Sequence, residues 1–248
     1  MTDKPARKAA DIPAWLWLGL PAASVLLCAV APVLTPDKDR WLAWFKSEMG
    51  LLQNMTVLLL VPAMVLSVLI FLRRRELPRL VGLVMLLGGL AAVYFAGEEI
   101  SWGQTYFGFR TPEALAEVNE QREFNLHNLR GMDIFSNVPR QAMMVACIAG
   151  GVLPLVLRKR LSRPEARRGV WYWLIPTWRL VPIALLAAFS TVPEKLIKLV
   201  RRPAAGSYLD LAVMEPGGEF KEYCFALVML LYLLSVYLRM GPRKPKAA

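Results

Sequence analysis

The stretch LVGLVMLLGGLAAVYFAG, residues 80–97, followed at once by Glu98 and Glu99, decides the fold of this chain. Eighteen apolar residues in a helix rise about 27 Å, which nearly crosses a hydrocarbon core of about 30 Å. The other apolar blocks fall near residues 13–34, 51–72, 136–157, 170–193 and 223–240. The sequence therefore predicts an all-α fold: a polytopic membrane bundle of about six transmembrane helices, forming one integral membrane domain over residues 1–248.

Composition supports a membrane protein and argues against a nucleic-acid-binding one. Hydrophobic residues make up 56% of the chain and the mean hydropathy is +0.41, whereas soluble domains are nearer half apolar. The net charge of +11 does not indicate nucleic-acid binding, because the basic residues alternate with the spans instead of gathering on one face. More than half of them fall on the side of the N-terminus, so the positive-inside rule predicts cytoplasmic termini.

Three features of the spans give further expectations. The first apolar block ends near the triplet Ala29-Val30-Ala31, and we favour an uncleaved span over a cleaved secretory signal because the block is long. Residues 39–50 predict a short interfacial helix on the outer face, with Trp41, Trp44 and Phe45 at helical spacing. The three cysteines all lie in apolar blocks and are predicted to be core residues.

Small residues recur every four positions in spans three and four: Gly88, Ala92 and Ala96, then Ala142, Ala146 and Gly150. Such rows let helix backbones approach closely in lipid, so we expect these two spans to be neighbours. Span five is less regular. It is expected to be short, tilted or broken at Pro182, with Arg179 reaching toward the inner headgroups.

Polar residues that could carry chemistry cluster around the main outer loop, residues 98–135. Glu98 and Glu99 fall at the hydrocarbon boundary, and at most one can point squarely into the bundle because successive helical positions differ by about 100°. Beyond Asn119, a continued helix would place Glu123 and His127 one turn apart, and an extended chain would align alternate residues on one face. Either geometry presents a carboxylate beside the only histidine of the chain.

Two chemical uses of this set remain open, beside a structural one. Glu123, His127 and Glu99 could bind a divalent metal, since imidazole and carboxylate ligands suit zinc or iron. Alternatively, a desolvated Glu98 or Glu99 would exchange protons with His127 without a metal. A hydrogen-bonded knot that only orders the loop explains the same residues, and Ser101 as a nucleophile is the least favoured interpretation.

Basic residues also occur on the predicted outer side, against the usual preference. Lys195, Lys198 and Arg202 fit one helical stripe, suited to gripping anionic headgroups or phosphates, or to pairing with the acidic loop and with Glu215, Glu219 and Glu222. Glu219 and Glu222 could also join the Glu98 cluster.

The segment from Ala96 to Asn128, read as GEEISWGQ, FGFRTPEALAEVN and EFNLHN, resembles a family of uncharacterised bacterial multi-spanning membrane proteins. The resemblance implies a bacterial inner-membrane location. It also singles out ten positions: Glu98, Glu99, Trp102, Gln104, Asn119, Gln121, Glu123, Asn125, His127 and Asn128.

A fainter likeness is to membrane-embedded proteases of the CAAX-processing and bacteriocin-immunity type, which also have a paired glutamate on a helix. Those proteases require an arginine after the pair and more histidines, where this chain has Gln104 and one histidine. Peptidase chemistry is therefore only a variant of the main hypothesis.

The sequence thus predicts a membrane-embedded hydrolase or transferase that acts on an anionic lipid or lipid-linked substrate, with membrane lipids as its partners. Glu98, Glu99, Glu123 and His127 are the candidate catalytic residues. The candidate substrate-binding residues are Gln104, Asn119, Gln121, Asn125, Asn128, Lys195 and Lys198. The alternative is a non-catalytic transporter or assembly component in which these groups are structural.

Overall fold

A computed structural model describes residues 10–35, 37–47, 49–132 and 134–242, with only the backbone of residue 46. Within these ranges six helices are long and apolar enough to cross a membrane, and we label them α1 to α6. They are α1 Trp15–Leu34, α2 Leu51–Leu72, α3 Arg79–Glu99, α4 Asn137–Val156, α5 Val170–Val200 and α6 Gly217–Met240. The described residues contain no β-strand, only an isolated bridge between Asn119 and Leu129. The predicted all-α, multi-pass membrane bundle with six spans is confirmed.

The direction in which the bundle crosses the membrane stays a prediction. That prediction rests partly on basic residues at the two ends of the chain, within residues 1–9 and 243–248. These residues lie outside the described ranges. We therefore name the ends of the bundle by their contents. The end where α3 ends and α4 and α6 begin is the site end.

Helix α6 lies at the centre of the bundle. In its most apolar 18-residue stretch 56% is buried inside the protein, against 39% or less in the corresponding stretches of the other five spans. It packs against α2 and α5, and Tyr223 Oη lies 2.8 Å from Ser24 Oγ of α1. The other helices keep exposed leucine and valine side chains, such as Leu58 and Leu90, which a bilayer would cover.

The predicted pairing of spans three and four is wrong. Ala92 and Ala96 of α3 lie in one buried cluster with Leu60 of α2 and Ala226 of α6, while Gly150 of α4 lies beside Ala184 of α5. Each row of small residues therefore serves a different neighbour, and α3 and α4 do not pack on each other along the rows. A cavity lies between them at the site end.

Helix α5 is interrupted, as its sequence suggested, but the break precedes Pro182. Helix Val170–Leu174 is followed by three non-helical residues, a 3-10 turn Trp178–Leu180, helix Val181–Phe189 and, after a turn, helix Val192–Val200. Pro182 lies in the first turn of its helix, where a missing N–H costs nothing. Arg179 is bound within the protein, since its Nη1 donates to Ile12 O at 2.6 Å and its Nε lies 4.0 Å from Asp11 Oδ2.

The predicted interfacial helix forms as Lys38–Trp41, continued by a π-helical turn Leu42–Lys46. Trp41 and Phe45 are buried and stack on each other, so of the three aromatic residues only Trp44 is exposed. Its location at a membrane interface remains a prediction.

Lys38 ties this helix to the segment before α6. Its Nζ lies 3.1 Å from Asp210 Oδ2 and 2.9 Å from Glu215 Oε1. We call these three residues the Lys38 clamp.

Candidate functional site

The site begins where α3 ends in an unusual reversal of the backbone. Ser101, Trp102 and Gly103 have successive φ angles of 46°, 53° and 94°, and left-handed φ is uncommon for residues other than glycine. The reversal folds the Trp102 ring back over Gly97, where a Cβ would lie 2.8 Å from the ring. Glycine at position 97 therefore allows the indole to reach the Glu98 carboxylate.

The Glu98 carboxylate is only 4% exposed and receives four donors. Trp102 Nε1 donates to Oε1 at 2.7 Å, and Oε2 accepts the backbone N–H groups of Leu126 and His127, both at 2.8 Å. His127 Nδ1 also lies 3.1 Å from Oε2. The end of α3 and the histidine-bearing segment therefore meet, as the sequence suggested.

This contact fixes the orientation of the His127 ring. In the neutral ring, a hydrogen bond from Nδ1 to the Glu98 carboxylate leaves the lone pair on Nε2. The side chain is 34% exposed and lines the cavity. This arrangement suits a general base or a metal ligand.

The loop that carries His127 is ordered by two buried asparagines. Asn119 is 0% exposed and its Oδ1 accepts the N–H groups of Gln121 and Glu123, while its Nδ2 donates to Asn125 Oδ1 at 2.9 Å and to Asn125 O. Asn125, 1% exposed, donates to Glu123 Oε2 at 2.6 Å and to Ser101 Oγ at 3.1 Å. The side chains of Asn119 and Asn125 make their hydrogen bonds within the loop. Their role is therefore to position other loop residues such as Glu123.

Neither backbone geometry considered for this loop occurs. Helix Glu113–Val118 ends at Asn119, whose bridge to Leu129 closes a compact loop. Glu123 and His127 therefore do not form a helical pair, and no hydrogen bond or ion pair joins them. Glu123 is held by Ser101 and Asn125, whereas His127 is held by Glu98.

Gln104 and Asn128 also act within the loop. Gln104 Nε2 donates to Thr111 Oγ1 and Phe109 O, and its Oε1 accepts from Phe124 N at 2.7 Å. Asn128 Nδ2 donates to Gln121 Oε1 at 2.6 Å. Of the five amide residues predicted to bind substrate, only Gln121 lines the cavity.

Glu99 turns the other way, toward α6. One ligand atom from each of Glu99, Glu219 and Glu222 lies within 4.8 Å of the others, and we call these three residues the acidic cluster. Arg140 Nη2 of α4 lies 3.2 Å from Glu222 Oε1. Glu219 and Glu222 thus lie near the paired glutamates, as considered, but they join Glu99 instead of Glu98.

The metal set proposed from the sequence is not assembled. Among the described residues the acidic cluster is the only group of three potential ligands this close together. Glu123, His127 and Glu99 do not form such a group, because the rotation of about 100° between Glu98 and Glu99 sends Glu99 away from the loop.

A cavity of about 520 Å³ joins these groups at the site end, a size typical of small-molecule sites. Its wall is polar at the loop and apolar between the helices. The polar side includes Glu98, Glu99, Ser101, Gln121, Glu123, His127, Ser136, Arg140, Glu219 and Glu222, and the apolar side includes Ala91, Phe95, Ala142, Met143, Phe225 and Met229.

Sequence reasoning missed two parts of this cavity. Arg140 is not among the predicted site residues, although an arginine in the first turn of a span commonly pairs with an acidic group. The apolar wall was missed because α3 and α4 were expected to be in contact.

Lys195 and Lys198 lie apart from the cavity. Both are on helix Val192–Val200, and Lys198 forms an ion pair with Glu194. Lys198 lines a smaller pocket of about 310 Å³ with Glu194, Arg202, Met214, Glu215, Gly218 and Glu219. Glu219 borders both pockets, but neither lysine lines the larger one.

No known protein family, curated protein or solved structure matches this chain. The resemblance carried by residues 96–128 therefore stays a prediction.

Proposed function

We propose that this protein is a membrane-embedded hydrolase or transferase acting on a lipid or lipid-linked substrate. The observation that carries the proposal is the contact between Glu98 Oε2 and His127 Nδ1, 3.1 Å long, at the wall of the cavity. It presents a basic Nε2 beside a space with both polar and apolar walls. An amphiphile with one polar and one apolar part suits such a space.

In this mechanism His127 is the general base. Its Nε2 takes a proton from water or from an acceptor hydroxyl, and the resulting oxygen nucleophile attacks the ester carbon or phosphorus of the substrate. Glu98 stabilises the imidazolium that forms, which then gives its proton to the leaving oxygen. Ser101 is not assigned as the nucleophile of this base, because its Oγ donates to Glu123 and accepts from Asn125 and has no hydrogen bond to His127.

The expected anionic headgroup is not part of this proposal. It depended on Lys195 and Lys198, and neither lines the cavity. Among the described residues, the only Lys or Arg side chain that lines it is that of Arg140, which is paired with Glu222.

The competing function is a non-catalytic membrane component in which the loop contacts are purely structural. Asn119 and Asn125 favour it, because their buried hydrogen bonds would order the loop whether or not a reaction occurs. The two functions differ in what they require of His127 Nε2.

A lipid profile separates them. Cells that lack the gene are complemented with the wild type, with His127→Gln, or with Glu117→Gln, a control on an exposed position of the loop. Glutamine can still donate a hydrogen bond to Glu98 but cannot take up a proton at neutral pH. We expect a lipid to accumulate without the gene and with His127→Gln, and to return to normal with the wild type and with Glu117→Gln. An unchanged profile, or full complementation by a folded His127→Gln protein, contradicts catalysis.

We further propose that the site end faces the outside of a bacterial inner membrane. Arg73, Arg74, Arg75 and Arg79 lie at the opposite end of the bundle, where the positive-inside rule places the cytoplasm. Labelling of Glu117→Cys in intact cells with a membrane-impermeant maleimide tests this orientation. The native cysteines Cys28, Cys147 and Cys224 all lie within spans. Labelling only after the membrane is broken contradicts the proposal.

A further inference from the structure

The cavity wall contains more acidic than basic side chains. Five carboxylates line it, Glu98, Glu99, Glu123, Glu219 and Glu222, against the guanidinium of Arg140. Glu98 and Glu123 have donors from the loop, and Arg140 pairs with Glu222. The Glu99 carboxylate has neither a hydrogen bond nor an ion pair with a described side chain.

A second unmet acceptor lies beside Glu99. Gln53 of α2 lines the same cavity and donates its Nε2 to the backbone oxygen of Glu99. Its Oε1 is buried and has no hydrogen-bond partner among the described residues. A buried acceptor without a donor is energetically unfavourable. Both unmet groups at this point of the wall therefore require a donor.

The ligand that supplies these donors must also have an apolar body. Phe95, Met143, Phe225 and Met229 line the same space, and leaving water against such side chains is unfavourable. A bare metal ion would satisfy the carboxylates but leave the rest of the roughly 520 Å³ cavity unfilled. An amphiphile with a cationic headgroup satisfies both walls.

We propose that the substrate is an amphiphile with a protonated primary amine, whose ammonium lies between Glu99, Glu219 and Gln53 and whose apolar chain lies along α3 and α6. An ammonium offers three N–H donors and no acceptor, which complements a wall of oxygen acceptors. The proposal depends on the proposed function only in calling this ligand a substrate. It also explains why Lys195 and Lys198 are not needed in the cavity.

Photo-crosslinking of the purified full-length protein in a neutral detergent tests the inference. Three probes share one diazirine-bearing alkyl chain and differ only in the headgroup: a primary amine, an alcohol or a carboxylate. Mass spectrometry locates the crosslinks. We expect the amine probe to label peptides of α3 and α6 around Phe95 and Met229 about tenfold more than the other two probes, which corresponds to about 1.4 kcal/mol.

Variants connect the labelling to the proposed residues. The double variant Glu99→Gln, Glu219→Gln is expected to lose the preference for the amine, whereas Glu117→Gln keeps it. His127→Gln is also expected to keep it, because binding does not require the base. The result is therefore independent of catalysis: a failed amine preference together with an altered lipid profile overturns the headgroup but not the function.

Three results overturn the inference. They are equal labelling by all probes, preferential labelling by the carboxylate probe, and stoichiometric binding of Mg²⁺, Ca²⁺ or Zn²⁺ alone that is lost in Glu99→Gln. The last result would assign the acidic cluster to a metal.

Discussion

Glu98 and Glu99 are adjacent in sequence but lie in opposite environments. Glu98 turns to the loop, where one indole, two backbone N–H groups and an imidazole surround it. Glu99 turns to α6, where ligand atoms of Glu219 and Glu222 lie within 4.8 Å of its carboxylate. The difference is that the carboxylate with four donors ties the loop to α3, while the other has no hydrogen-bond donor among the described side chains.

The largest expected effect comes from removing the satisfied carboxylate. Glu98→Ala leaves four donors without an acceptor, each in a buried or half-buried place, so we expect it to destabilise the protein by about 3 kcal/mol or more. Thermal unfolding in detergent measures the loss. Glu117→Gln is the control and should leave the melting temperature unchanged. A melting temperature of Glu98→Ala equal to that of the wild type would show that Glu98 does not anchor the loop.

A smaller effect is expected from crowding the same anchor. In Gly97→Ala the new Cβ would lie 2.8 Å from the Trp102 ring, which costs about 1–3 kcal/mol because the indole must move away from Glu98. Gly88→Ala is the matched control on the same helix, since nothing lies within 4 Å of a Cβ there. Thermal unfolding in detergent reports the change. Equal melting temperatures for the two variants would contradict the close approach of the ring.

For Glu99, the carboxylate without donors, we expect substitution to cause no loss of stability. Glu99→Gln removes one of three neighbouring negative charges, so we expect the variant to be as stable as the wild type or about 1 kcal/mol more stable. The same thermal unfolding assay measures it. A loss as large as that of Glu98→Ala would erase the contrast between the two residues.

The smallest effect concerns the Lys38 clamp, a site where carboxylates have their own cation. Hydrogen bonds to Glu215 and then Asp210 raise the pKa of Lys38. Burial acts to raise the pKa of Asp210, but the hydrogen bonds from Gly206 N–H and Lys38 outweigh it and the pKa is lowered. Asp210, which has hydrogen-bond donors around its carboxylate, thus resembles Glu98 more than Glu99.

The directions of the Lys38 and Asp210 pKa shifts set the pH range in which the Lys38 clamp stabilises the fold. The lowered pKa of the Asp210 carboxyl stabilises the fold above about pH 3.9, and this stabilisation is lost as the pH falls through the lowered value. The raised pKa of Lys38 stabilises the fold below about pH 10.4, and this stabilisation is lost as the pH rises through the raised value. We expect Lys38→Met to lower the melting temperature slightly between these limits, and the difference from the wild type to disappear only as the pH falls through the lowered pKa of Asp210 or rises through the raised pKa of Lys38. A difference that is independent of pH would mean that the effect comes from packing.

The sequence by itself determined the class of the fold and the meeting of two segments. Apolar blocks of about 20 residues can satisfy their backbone in lipid only as helices, so the six spans follow directly from composition. The polar residues around Glu98 and His127 were identifiable because they interrupt or follow such blocks. Their exact contacts were not, since the backbone reversal at residues 101–103 is not evident from the residue types at positions 101 and 102.

Tertiary structure decided which neighbours the helices have, and thereby what the site contains. The small residues of α3 and α4 fit several partners equally well by their spacing, and only the packing of the whole bundle assigned those of α3 to α2 and α6 and those of α4 to α5. That assignment left the cavity between α3 and α4, with Arg140 and the acidic cluster on its wall. A periodic pattern shows which face of a helix is suited to contact, but the identity of the partner depends on long-range packing that no local stretch of sequence contains.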